Sequence, residues 1–514
     1  MKAFATLLER LAFTNGRNAK MQILRHYLQD TPDPDRGWAL AAITGQLELR
    51  NIGPALLRRM IAERVDSELF DISYDFVGDL AETIALLWPE PSANRDISLT
   101  DAVGVLQSSS RNGQEIAALL DQLDKNSRLA VLKLGTGNLR LGLSARLART
   151  ILAQMSDPTL PEIEEIWHAL SPPYLDLFAW LAGENAPTPD HQAPFRPVML
   201  STPTNLEELE KLPIADYQCE WKWDGIRVQL VSDQGVKRVY TRTGDDISAA
   251  FPDAIELMDF DGTLDGELLV GREGQIAPFA DLQRRLGRKS VSRTMMAEFP
   301  AYLRVYDMLI WQGKDWRSEP LSARRAKLDS ITFPSPAMDV SPLLSVTTWQ
   351  DLADLRADPP LSVIEGVMIK NSASRYVGGR PRGPWFKWKR DPMLIDAVLL
   401  YAQTGHGKRS GFHSDFTFGV WRDEELVPVG KAYFGFTDEE LRQLDKFVRK
   451  NTVERFGPVR RLKPELVVEV AFEGLNKSSR HKSGVAMRFP RISRIRWDKP
   501  AAEADHLSAL EALL

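Results

Sequence analysis

Residues 1 to about 185 place apolar side chains three and four positions apart, in segments such as GPALLRRMIAERV (53–65), NGQEIAALLDQLDK (112–125) and IEEIWHALSPPYLDLFAWLA (163–182). That spacing predicts amphipathic helices, and strand signals are nearly absent there. The run APTPDHQAPFRPVML (186–200) has no periodicity and several prolines, and reads as a linker. Beyond it the period changes to two. CEWKWDGIRVQLVSDQGVKRVYTRTG (219–244) alternates on both sides of Asp233-Gln234-Gly235, a hairpin signal. TLDGELLVG, AYLRVYDMLIWQ and SVIEGVMIK read as further strands, with helical stretches such as SARRAKLDSI between them. Past Pro392 come short strand-like runs around one helix, DEELRQLDKFVRKN.

This pattern predicts a multidomain chain: an all-α domain over 1–190, an α+β domain over 191–392 and a small β-barrel of the oligonucleotide-binding (OB-fold) type over 393–514. A length of 514 residues is too great for one core and agrees with three. Cys219 is the single cysteine, which excludes a disulfide framework or a Cys-rich zinc module and suits a reducing cytosol. No apolar run is long enough for a bilayer, and MKAFATLLERLAFTNGR reads as an amphipathic helix, not a signal peptide. The expectation is a cytoplasmic protein with no membrane partner.

A net charge of −5 at first argues against nucleic acid, but its distribution argues the other way. From Asn371 to Asp391 there are six basic residues against one acid, and from Lys477 to Lys499 eight against one. Both runs are interleaved with aromatics (Tyr376, Trp385, Phe386, Trp388; Phe489, Trp497). The plain alternative is two solvated faces; the mixture with aromatics suits phosphate contacts on a shaped surface better.

The candidate chemistry centres on Glu220-Trp-Lys222-Trp-Asp224-Gly225-Ile-Arg227. Lysine becomes a nucleophile when desolvation or neighbouring cations depress its basicity, and a strand running into Asp-Gly fixes an amine at a cleft. Taken alone, the segment equally describes an exposed lysine before a turn. Thr241-Arg242-Thr243-Gly244 follows, then Asp265-Gly266-Glu267 inside an apolar strand, where burying acids is costly unless something cationic sits there. A metal ion or a ribose hydroxyl is the natural partner, and a strand-end turn with solvated carboxylates is the plain alternative. Tyr306-Asp307 offers an aromatic that could stack on a purine or simply pack in a core. Glu365-Gly366-Val-Met-Ile-Lys370 adds a carboxylate. Lys387 and Lys389, at alternate strand positions after Arg382, point to one face. One nucleophile, separated carboxylates and phosphate-binding cations are what phosphoryl-type transfer needs. No P-loop pattern occurs. TGHGKRSG (404–411), with His406, Lys408 and Arg409, reads as a basic hairpin tip.

In this order the motifs over residues 219–499 resemble the covalent nucleotidyltransferase superfamily of ATP-dependent DNA ligases, RNA ligases and mRNA-capping enzymes. The matches are Lys222-Trp-Asp224-Gly225, Arg242 to Gly244, Asp265 to Glu267, Tyr306-Asp307, Glu365-Gly366, Lys387 to Lys389, and Arg488-Phe-Pro-Arg491 through Arg494 to Lys499. The resemblance implies that Lys222 forms a lysyl-AMP, that Glu220 reads the adenine amino group and that Tyr306 stacks on the base. Arg227 and Glu267 would lie at the ribose, Glu267 and Glu365 at Mg²⁺, and Arg242 near the 5′-phosphate. Arg382, Lys387 and Lys389 would hold nucleotide phosphates, with Arg494 and Lys499 orienting the pyrophosphate.

AVLKLGTGNLRLGLS (130–144) is similar to part of the helical DNA-binding domain of larger DNA ligases, and RPVML to the entry of their catalytic domain. The implied reaction uses ATP and Mg²⁺ to seal nicked double-stranded DNA, in a monomer that encircles the duplex. The size is similar to that of bacterial accessory ligases, which implies repair. One cysteine excludes the four-cysteine zinc finger of NAD-dependent ligases. RNA ligases and capping enzymes remain enzymatic rivals without the long helical region, and a scaffold with a dead transferase fold is a rival of another class.

Overall fold

The computed structural model describes residues 1–514 apart from 48, 50–51, 92–94, 110–112, 138, 140, 189–191, 273, 289, 406–411, 458 and 480. His406 to Gly411 of the basic TGHGKRSG tip, with Lys408 and Arg409, and Arg140 therefore lie outside the described residues.

Up to Leu181, the described residues form helices and no strand. Helix starts are set by short polar side chains: Ser98, Asp124 and Ser144 each accept a hydrogen bond from the backbone N–H three residues on. The apolar faces close on one core that includes Leu11, Leu24, Leu40, Val131, Leu152 and Leu177. Two expectations are corrected. The stretch 163–182 is not one helix: it breaks into Leu160–Ile166, a tight turn Trp167–Ala169 and Leu175–Leu181. Pro172-Pro173 removes two backbone donors between them. In the 112–125 segment one helix covers Gln114–Leu120 and stops short of Lys125, where the next helix, Lys125–Gly135, begins.

The middle of the chain forms two sheets. One has the order Thr202–Pro203, Trp385–Lys389, Ile364–Asn371, Tyr217–Trp223. The other is built around Ile226–Asp233, Gly262–Arg272 and Ala301–Trp311. The predicted hairpin is present: Asp233 pairs with Val236, and Gln234 and Gly235 take positive φ angles of 48° and 84°. Each sheet has its own apolar core, one including Leu230, Leu264 and Leu303, the other Trp221, Val367 and Trp388. The chain crosses between sheets at Asp224-Gly225, one residue past the strand carrying Lys222.

The C-terminal region is β-rich. The long strand Met393–Thr404 pairs with His413–Arg422 on one side and with Val459–Leu462 and Val467–Phe472 on the other. Helix Asp438–Asn451, started by a Thr437–Glu440 capping box, packs its apolar face into the same core. Ion pairs join the regions: Arg317 to Glu165 at 2.7 Å and Lys389 to Glu473 at 2.7 Å. No helix of the described residues is long and apolar enough to cross a membrane.

Candidate active site

Strand register collects the candidate residues. Gly366 pairs with Lys222 on one side and with Lys389 on the other, so the two lysines stand in one row across three strands. Two residues along, Met368 pairs with Glu220 and Lys387 in a second row. Alternation then puts Glu220, Lys222, Met368, Lys370, Lys387 and Lys389 on one face, and all of them line a pocket of about 450 Å³ between the two sheets. Gly366 is required in the middle of the row. Its φ is 148°, and a Cβ there would meet the Trp388 carbonyl oxygen.

The other sheet supplies Arg227, Glu267 and Tyr306 to the same pocket, and the loop after Val236–Thr241 supplies Arg242 and Thr243. Arg227 holds Asp265 through Nε at 2.9 Å and a second nitrogen at 2.5 Å, and Tyr376 donates its hydroxyl to that carboxylate at 2.6 Å. The cationic partner demanded by the buried Asp265 is thus an arginine of the chain itself. Asp307, fully buried, is likewise held by Arg324 at 2.8 and 2.9 Å, so it braces the strand behind Tyr306. The Lys370 ammonium stands 4.4 Å from the centre of the Tyr306 ring and pairs with Glu220, both being almost fully buried.

Lys222 Nζ lies 2.5 Å from Glu365 Oε1, and Lys389 lies 3.2 Å from the other oxygen. Burial opposes the Glu365 charge, but these two cations outweigh it and hold the carboxyl below its usual range. Glu267 behaves oppositely: burial, with repulsion from Glu365, pushes it up to about 8 against the pull of Lys222 and Arg227. Burial and four neighbouring cations, Lys222, Lys389, Arg380 and Arg242, depress Lys387. Clustered cations on a concave surface of this kind are built for a polyanion. Among the described residues there is no group of three or more His, Cys, Asp or Glu side chains suited to a metal. The carboxylates beside Lys222 are Glu267 and Glu365.

Three residues carried over from the sequence resemblance lie elsewhere. Arg382 is exposed outside the pocket lining, where Arg380 stands instead. Arg494 is exposed on the C-terminal region, and Lys499 pairs with Asp396 at 2.7 Å within it. Sequence reasoning gave no role to Lys370, Arg380, Trp385 or Arg488. Alternation from Met368 could have revealed Lys370. The contact of Arg488 with Asp224, 264 positions away, left no local signal.

With this geometry in view, three family models match the chain: a DNA ligase N terminus over 1–153, an ATP-dependent DNA ligase domain over 198–389 and an ATP-dependent DNA ligase C-terminal region over 409–499. A probable DNA ligase of Koribacter versatilis is 31% identical over 560 residues, covering 100% of this chain and 96% of that protein. The chain belongs to the ATP-dependent DNA ligase family. A second relative of this family member, DNA ligase 1 of Korarchaeum cryptofilum, is 26% identical and spans 100% of the chain and 98% of its own length. Among solved structures, Pmar-Lig_Pre is 15% identical, covers 96% of the chain and 99% of its own, and has a TM-score of 0.63, a likeness of fold. Family membership makes the chain an ATP-dependent nucleotidyltransferase.

Proposed function

We propose that this chain seals nicks in duplex DNA, with Lys222 as the nucleophile. In the first step the Lys222 amine attacks the α-phosphate of ATP. A phosphorus–nitrogen bond forms, the bond to the β-phosphate oxygen breaks, and pyrophosphate leaves. AMP then passes from Lys222 to the 5′-phosphate of the nick, and the adjacent 3′-hydroxyl displaces AMP to close the phosphodiester. The observation that carries this reading is the row Lys222–Gly366–Lys389, flanked by Glu365 and Glu267 and opening on a cationic pocket.

The remaining roles follow the motifs. Glu220 receives the adenine amino group and Tyr306 stacks on the base, while Lys370 pairs with Glu220 in a dry place and holds it there. Arg227 and Glu267 face the ribose, and Arg242, Lys387 and Lys389 face phosphates, with Arg380 in the position argued for Arg382. Arg494 and Lys499 reach pyrophosphate only if the C-terminal region shifts, and Lys499 must also leave Asp396, its partner within that region. Glu267 and Glu365 would hold Mg²⁺, because a divalent cation beside them would offset the burial and the mutual repulsion that push Glu267 up. Bound there, it supplies charge neutralisation for the reacting phosphates. Binding of the nucleotide must also loosen the Lys222–Glu365 contact before the amine can attack.

The working division is a DNA-binding domain over 1–190, an adenylation domain over 191–392 and an OB-fold barrel over 393–514, in a cytoplasmic monomer that encircles its DNA during repair. Both basic runs are needed at one nick, and one flat face could not present them together. The test is joining of a duplex carrying one 5′-phosphate nick with ATP and Mg²⁺. Sealing that disappears in Lys222→Ala supports the reading, and sealing that survives in that variant contradicts it.

A further inference from the structure

The helical region reaches the adenylation pocket from behind, at two points. The first is His168, in the tight turn Trp167–Ala169. Its ring abuts Gly244, whose φ is 92°: a Cβ built on Gly244 would stand 2.4 Å from the ring. Gly244 closes the loop that brings Arg242 and Thr243 to the pocket. That loop is internally knotted, since Asp245 accepts from the hydroxyls of Thr241 at 3.0 Å and Thr243 at 2.5 Å, and Gly244 donates its N–H to the Thr241 carbonyl at 3.0 Å. A loop tied to itself moves as a unit, so its placement depends on what stands behind it.

The second point is Arg146, on helix Ala145–Met155. Its guanidinium lies against Gly379, also at a φ of 92°, where a Cβ would stand 2.2 Å from the nearest nitrogen. Gly379 immediately precedes Arg380, and its carbonyl accepts from the Leu200 N–H at 2.6 Å; both Leu200 and Arg380 line the pocket. Each glycine therefore sits beside a pocket arginine, and each leaves the space a helical-region side chain fills.

One short segment governs both points. Leu160–Ala169 carries His168 itself, and its Glu164 pairs with Arg146 at 3.4 Å. Glu165, between them, clamps the segment to the middle region through Arg317 at 2.7 Å and Arg196 at 3.5 Å. An aromatic series continues the contact: His168 meets Phe195 edge-on at 4.7 Å, and Phe195 meets Tyr240 at 5.7 Å, one residue before Thr241. Burial, with Arg149 nearby, pulls His168 down to about 4. The imidazole is thus neutral at ordinary pH and acts by its shape.

Resting on the Lys222 chemistry proposed above, we infer that His168 and Arg146 are positioning residues for adenylation. The helical region buttresses the Arg242 and Arg380 loops and so sets the phosphate end of the nucleotide pocket, in addition to any hold it has on DNA. Packed interiors transmit such displacements because they have little free volume, and small misplacements of charged groups cost rate steeply.

The experiment is the rate of AMP attachment to Lys222 with ATP and Mg²⁺ and no DNA, resolved into kcat and KM for ATP. Nick affinity and thermal midpoint are measured on the same full-length proteins. His168→Ala and Arg146→Ala should each slow DNA-free adenylation on the order of tenfold with a higher KM, and His168→Gln, which refills the space, should restore most of it. A region that only holds DNA, or a merely structural contact, would leave that rate and KM unmoved. If His168→Ala does not fold, Arg146→Ala decides, since its side chain is 47% exposed. Folded variants that adenylate at the wild-type rate and lose only nick affinity would overturn the inference while leaving the ligase reading intact. A wild-type chain that never acquires AMP would remove that reading and this inference together.

Discussion

Arg488 of the C-terminal region grips both carboxylate oxygens of Asp224, the second contact at 3.1 Å, two residues after Lys222, the proposed nucleophile. Burial opposes the Arg488 charge, but Asp224 holds it firmly, with Glu365 and Glu473 adding to the effect. The pair closes the C-terminal region over the turn between the two sheets. Arg488→Ala should slow formation of the Lys222 adduct at least about tenfold, and Arg488→Lys should recover little, because one ammonium cannot replace a two-pronged fork. Rapid-quench kinetics of adduct formation check this; equal rates for all three proteins would show that the closure is irrelevant to the first step.

Glu267 carries a stability cost that depends on pH. Its folded value is raised from 4.5 to about 8, so between those limits the folded chain keeps a proton that the unfolded chain has released. Stability from this group is fully present below 4.5 and is lost as pH rises through about 8. Glu267→Gln should therefore gain on wild type in chemical unfolding as pH rises from about 5 to 9, while adenylating poorly. A stability difference that stays constant across that range would contradict the burial argument.

Lys370 and Glu220 are buried together, at 2% and 4% side-chain exposure. Removing one partner strands the other, which typically costs about 3–5 kcal/mol. Lys370→Met should destabilise by that order in denaturant titration, and adding Glu220→Gln should return most of the loss. If the double variant is no more stable than the single, the two charges are not coupled.

Much of the site was legible because strands alternate. Lys387 and Lys389 fall on one face by spacing alone, although their sharing it with Glu220 and Lys222 needed the register through Gly366 and Met368, and the Asp233–Gly235 hairpin follows from its residues. Burial of Asp265 correctly demanded a cation, but naming Arg227 needed the geometry of adjacent strands, which no local pattern encodes. Asp307 was grouped with Tyr306 by motif, yet its work is structural, through an arginine 17 residues on. Two adjacent prolines overrode a helical period at 163–182. Docking between regions was out of reach: Arg488 on Asp224 and His168 on Gly244 join residues far apart in sequence through surfaces whose shape exists only after folding.

The most direct test of the account is intact-mass measurement of the purified chain after incubation with Mg²⁺ and, separately, ATP, GTP or NAD. Lys222 chemistry of this kind yields one AMP adduct, from ATP alone, absent in Lys222→Ala and discharged by nicked DNA. No adduct from any donor, or a GMP adduct, would contradict it.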